Sequence, residues 1–154
     1  MKILLTGGTG YIGSAVLDRL IAADHQVTAI VRSQQSSLRV TDAGATAVIG
    51  DLFDTDWLAS ELEQHDGAIH TAAGSDEKDA ELNDVVIDAV IRAFSGTAKP
   101  FIHTGGIWVY GNNASINESH DLQPPAITAW RQAGEKRLLE PDVKASGIQP
   151  GIVY

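Results

Sequence analysis

Near the amino terminus the stretch TGGTGYIG carries two overlapping glycine spacings. Gly7, Gly10 and Gly13 read G-x-x-G-x-x-G, and Gly8, Gly10 and Gly13 read G-x-G-x-x-G. Bare backbone between a strand and a helix lets N–H groups and the positive helix end meet a diphosphate, whereas side chains there would block the approach. The last glycine lets the helix lie close to the sheet. Both flanks fit this chemistry. The apolar run Lys2–Thr6 precedes the turn, and Tyr11–Ala23 follows with Ile12, Val16 and Leu20 four apart on one helix face. In that context the turn reads as a phosphate cradle rather than a plain strand–helix connection.

The other residues able to do chemistry are few. The chain has no cysteine, which removes thiol catalysis, disulfides and zinc–thiolate sites, and no metal centre is expected. His70 and His103 lie inside the apolar runs GAIHT and PFIHT, so they read as packed strand histidines; His120 sits in a polar loop and carries no signal. There are three tyrosines, Tyr11, Tyr110 and Tyr154, and none has a lysine four residues later. Arg131 and Glu135 are four apart on a helix pattern. They form either a ribose or substrate clamp with Arg131 in lysine's place, or an ordinary surface ion pair.

The elements that must position these residues alternate. Strands are predicted at Lys2–Thr6, Gln26–Val31, Ala45–Ile49, Gly67–Thr71, Pro100–Thr104 and Gly147–Tyr154. Helices are predicted at Tyr11–Ala23, Asp54–Gln64 (capped by Asp54 or Thr55), Glu77–Phe94 and Ala129–Glu140. Ser33–Gly44 reads as a loose link beginning in a polar loop, and residues 112–125 as a surface loop. Such alternation predicts an α/β Rossmann-like fold, a doubly wound parallel sheet with helices on both faces, as one domain over residues 1–154. The net charge of −9, from 11 basic and 20 acidic residues, argues against a nucleic-acid surface. No apolar run approaches the roughly 20 residues of a membrane span, and a soluble, cytoplasmic protein is expected.

These motifs together resemble the short-chain dehydrogenase/reductase superfamily, in its extended or atypical branch of NAD-dependent epimerase/dehydratase-like proteins. TGGTGYIG resembles that branch's nucleotide fingerprint. AGATAVIGDLFD resembles its third strand with G-D-L, HTAAG the end of its fourth strand, FIHTGGIWVYG its fifth strand with the Tyr-Gly pair, and SGIQPGIVY its sixth. The resemblance implies that Gly7, Gly10 and Gly13 line the diphosphate of a dinucleotide cofactor, with Thr9, Tyr11 and Ile12 supplying the turn's backbone. It implies Asp51 and Leu52 at the adenine, Asp51 alternatively being only a cap or turn residue. Ala72, Ala73 and Gly74 would flank the dinucleotide. At the end of the second strand an acidic residue would select NAD and an arginine NADP. Val31-Arg32-Ser33 offers a guanidinium fork and a hydroxyl, with no carboxylate before Asp42. NADP is therefore the expected cofactor, with NAD the alternative; Arg39 is a second phosphate candidate, and Arg32 could instead only stack on adenine.

Active members of the family use a Ser/Thr and a Tyr-x-x-x-Lys pair, the tyrosine moving the proton and the lysine lowering its pKa. Here the family's hydroxyl position falls on Gly106, with Thr104 the nearest hydroxyl, and the tyrosine and lysine places fall on Ile127 and Arg131 or on Trp130 and Gly134. The resemblance also implies a carboxy-terminal substrate-binding portion that the 154 residues lack. Two functions follow as expectations: an NAD(P)-dependent oxidoreductase or epimerase-like protein using non-standard catalytic groups, or a non-catalytic module that senses the dinucleotide. The small-molecule substrate and the oligomeric state are not legible.

Overall fold

The computed structural model describes residues 1–74, 77–140 and 142–154. Among these residues six strands, β1 Lys2–Thr6, β2 Gln26–Val31, β3 Thr46–Ile49, β4 Gly67–His70, β5 Pro100–Thr104 and β6 Lys144–Ile148, form one sheet. Among the described residues five helices connect them: α1 Tyr11–Ala22, α2 Gln34–Asp42, α3 Thr55–Glu63, α4 Asp79–Phe94 and α5 Ala129–Leu139. A short 3-10 turn spans Ile107–Tyr110. The spatial order is β3-β2-β1-β4-β5-β6, and every pairing is parallel. This is the doubly wound Rossmann order.

Successive strand residues point to opposite faces, so one strand feeds two cores. Leu4 and Ile30 join Leu58, Leu62, Val86, Ile87, Val90, Phe94 and Leu138 under α3, α4 and α5. Leu5, Ala29 and Val31 join Leu17 and Val40 under α1 and α2. The chain runs outward from β1 to β3 and returns to place β4 on the other side of β1. The carboxyl ends of β1 and β4 therefore flank the switch point, where such sheets leave a crevice.

Two expectations are corrected. Ser33–Gly44 is not a loose link: α2 occupies Gln34–Asp42, and Ser33 Oγ accepts a hydrogen bond from Ser36 N–H. Only Val40 of this helix is buried, so it shows no apolar periodicity to read. The last strand is Lys144–Ile148 rather than Gly147–Tyr154, because β5 offers partners only from Pro100 to Thr104. Beyond Ile148 the backbone turns to the loop after β5, with Ile107 N–H donating to Pro150 C=O at 3.1 Å. Asp54 does cap α3, accepting from Trp57 N–H at 3.0 Å. No helix among the described residues is long and apolar enough to cross a membrane.

Candidate functional site

The glycine turn lies at the switch point, and its geometry selects one of the two spacings. Gly7 has φ +75°, and a Cβ there would stand 2.6 Å from Ala72 N. A Cβ on Gly13 would stand 2.0 Å from Gly7 C=O and 2.6 Å from Thr71 Oγ1. Gly7 and Gly13 thus let β1, α1 and the end of β4 converge. Gly8 instead fills space against Leu5 and Ala29. Gly10, the N-cap of α1, would bring a Cβ only against Gly7 C=O, at 3.2 Å. The helix begins with no side-chain cap and no acidic residue in its first turn. A helix N-terminus left this way is a ready anion site, so the residues present fit a diphosphate.

A cleft of about 390 Å³ opens from this turn. Gly7, Thr9 and Gly10 line it after β1, Arg32 and Ser36 after β2, Asp51, Leu52 and Phe53 after β3, and Ala72, Ala73 and Gly74 after β4. Most of the sequence-predicted residues are therefore brought together. Ser33 is engaged as the cap of α2, and Ser36 stands at the cleft in its place. Tyr11 lies on the outer side of the turn, 68% exposed, while Ile12 is half-buried and reaches the recess described below. Asp51 Oδ1 accepts from Phe53 N–H at 3.0 Å, so its carboxylate shapes the turn that presents Leu52. Arg39 reaches back to donate to Thr9 C=O at 3.3 Å. Sequence reasoning missed Phe53 and Lys78, whose ammonium lies 5.6 Å from the Phe53 ring centre at the cleft wall. Neither carries a local motif.

Beside the cleft is a smaller recess of about 140 Å³ between β4, β5, α4 and α5. Its walls include Ile12, His70, Thr71, Asn83, Thr104, Trp130 and Arg131. Strand register places Thr6 beside His70 and His70 beside His103. Thr6 Oγ1 and His70 Nδ1 share a 2.7 Å hydrogen bond, and the two imidazoles stack at 5.8 Å. His103 Nε2–H donates to Asn83 Oδ1 at 2.7 Å. Burial, then each other's proximity and the Arg131 charge, push the His70 pKa down to about 3. Burial, then Arg131, push His103 down to about 4. Both read as packed strand histidines, neutral at ordinary pH.

Arg131 and Glu135 do not form the surface ion pair that their spacing allows. Glu135 is buried, and its Oε2 accepts from Gln149 Nε2 at 2.9 Å. Gln149 Oε1 in turn accepts from Gly106 N–H at 2.5 Å, so one amide ties α5 to the loop after β5. Burial raises the Glu135 pKa, against the opposing pull of Gln149 and Arg131. A Cβ on Gly105 would meet Gln149 Oε1 at 2.2 Å, while one on Gly106 would meet nothing within 4 Å. Arg131 lies over the Trp130 ring at 4.4 Å. In the Trp130/Gly134 register a Cβ on Gly134 would stand 2.6 Å from Asn83 Nδ2 and 2.9 Å from Ile87 Cδ1, so a lysine there requires both side chains to shift. The Ile127/Arg131 register sets Arg131 at the recess and leaves Ile127 71% exposed. Asn83 and Gln149 were not legible in the sequence, because their partners lie on other elements.

Fold and cleft define a Rossmann dinucleotide-binding domain. The chain belongs to the NAD(P)H-binding family, whose sequence profile matches residues 7–153. It is 35% identical, over 99% of its length, to an uncharacterised protein of Schizosaccharomyces pombe and covers 52% of that protein. It is 31% identical, over 82% of its length, to the decarboxylating sterol-4-alpha-carboxylate 3-dehydrogenase of Dictyostelium discoideum, covering 42% of it. Among solved structures, the enzyme WbmG of Bordetella bronchiseptica, in complex with NAD and UDP, matches with a TM-score of 0.76 at 23% identity. That match covers 96% of this chain and 52% of WbmG. The resemblance to epimerase/dehydratase-type oxidoreductases is borne out at the level of family and fold. The chain spans about half the length of the curated relatives it matches.

Proposed function

We propose that residues 1–154 bind NADP in the β1–β4 cleft and form the cofactor half of an oxidoreductase-type architecture whose proton transfer does not use a tyrosine–lysine pair. The observation that carries this is the glycine cradle, where Gly7 and Gly13 close β1, α1 and β4 together beneath an uncapped helix end. The turn's N–H groups would hold the diphosphate. Arg32 at the cleft, with Ser36 and Arg39 near it, supports a 2′-phosphate, since no carboxylate follows β2 before Asp42. The bound cofactor would supply hydride transfer at its nicotinamide. The chain's own part there is a recess with Thr104, Arg131 and the neutral His70, which stacks on His103 behind it.

A second reading, a dinucleotide-sensing module, is favoured by one observation: no tyrosine is among the described residues that wall the recess. Tyr110 instead faces a separate groove with Leu138 and Ile148. Tightly bound NADPH that is not consumed with aldehydes, ketones or nucleotide sugars is the expected result for residues 1–154, followed by absorbance. General acid–base help is worth about 10²–10⁴ in rate, so turnover at ordinary enzymatic speed would overturn the sensing reading and assign the proton transfer to Thr104, Arg131 or Glu135.

A further inference from the structure

Arg131 is the one cation among the described residues that wall the recess. It takes part in no ion pair among those residues. Each of the two neighbouring carboxylates, Asp79 in the recess wall itself and Glu135 one turn along the helix, has another partner. Glu135 is turned to Gln149, and Asp79 accepts from Gly74 N–H at 2.5 Å. The Trp130 ring lies against the guanidinium, and Trp130 is itself anchored by Nε1–H donating to Ile127 C=O at 3.1 Å. Stacking occupies a face of a guanidinium and leaves its in-plane donors for a planar oxyanion. The arginine's field is felt at His70, His103 and Glu135, so its charge bears on the recess interior. Asn83 Nδ2, buried on the same side, has no hydrogen-bond partner. In a chain of net charge −9, a half-buried arginine held on an aromatic ring with no carboxylate in ion-pair contact among the described residues is a built feature.

We propose that this recess is an oxyanion site in which Arg131 receives the carboxylate of a small oxo acid, whose carbonyl faces the Thr104 side and the dinucleotide. The proposal rests on the cleft reading above for the dinucleotide's place. The small volume limits the ligand head to a few atoms, and the fork of Arg131 suits a carboxylate better than a spherical anion.

Calorimetry with the whole chain tests it, with and without NADP+, using pyruvate, its neutral methyl ester and inorganic phosphate as probes. Pyruvate is expected to bind one site at least about tenfold more tightly than methyl pyruvate, since a charge-assisted pair is lost in the ester. Arg131→Gln should remove that preference and leave NADP+ affinity within about threefold, and Arg131→Lys should restore part of it. Equal binding of acid and ester by the unmodified chain, or no pyruvate binding, overturns the proposal whether or not the variants fold. So does a loss of NADP+ affinity in Arg131→Gln as large as the loss for pyruvate, which would assign Arg131 to the ribose, and so does phosphate outcompeting pyruvate. Failure of NADP+ to bind while acid and ester remain distinguished overturns the cleft reading and leaves the oxyanion site standing.

Discussion

At the scale of single residues the glycines of the turn divide into those packed against backbone and one, Gly10, that is nearly free of it. Gly13 has backbone at 2.0 Å from where a Cβ would be, so Gly13→Ala must push α1 off β1. A loss of about 1–3 kcal/mol is expected from such overpacking, read in urea denaturation. Gly10 meets only Gly7 C=O at 3.2 Å. Gly10→Val should therefore stay folded, somewhat less stable, and lose dinucleotide binding, because its side chain stands where the diphosphate would lie. Undiminished NADPH affinity in that variant would sink the assignment of the turn. Arg32→Ala should weaken NADP by about ten- to a hundredfold and leave NAD nearly unchanged, since a charge-assisted contact is removed. Equal losses for both cofactors would mean that Arg32 only stacks on adenine.

At the scale of elements, α2 and α5 are held by single polar groups. Ser33 caps α2, and Ser33→Ala is expected to cost about 1 kcal/mol in chemical denaturation. The same variant should shift NADP affinity far less than Arg32→Ala, because its hydroxyl is spent on Ser36. Gln149 binds Glu135 and Gly106 at once. Its replacement by alanine leaves a buried carboxyl and a backbone N–H without partners, and about 1–3 kcal/mol should be lost. Capping at α3 was legible because Asp54 precedes an apolar pattern, with Leu58 and Leu62 both buried. The capped helix α2 was not, because it buries only Val40.

At the scale of the whole molecule, the buried seam Thr6–His70–His103–Asn83 crosses three strands and makes stability depend on acid. Folding lowers both histidine pKa values from 6.5, to about 3 for His70 and about 4 for His103. Below pH 6.5 the unfolded chain binds protons that the folded chain refuses, so stability falls with acidification until each folded pKa is passed. The loss approaches on the order of 1 kcal/mol per pH unit for each histidine. Glu135 works in the opposite sense, because its raised pKa favours the protonated folded form as pH falls. Urea midpoints at pH 7 and pH 5 should show a net loss, smaller in His103→Asn. A midpoint that does not change over that interval would contradict the seam.

Local features of the sequence by themselves determined much of this protein. The apolar runs located β1, β2, β4 and β5, the strand–glycine–helix order located the cradle, and the composition excluded thiol chemistry and the Tyr-x-x-x-Lys pair. Each of these is written within a few consecutive residues. Tertiary structure decided the rest. It made Gly7 rather than Gly8 the strained glycine, because Ala72 comes within reach only when β4 lies beside β1. It turned Glu135 from a helix-surface partner of Arg131 into a buried partner of Gln149, and left Arg131 to the recess. Parallel register sets residues 6, 70, 103 and 147 side by side, and no spacing along the chain encodes that neighbourhood.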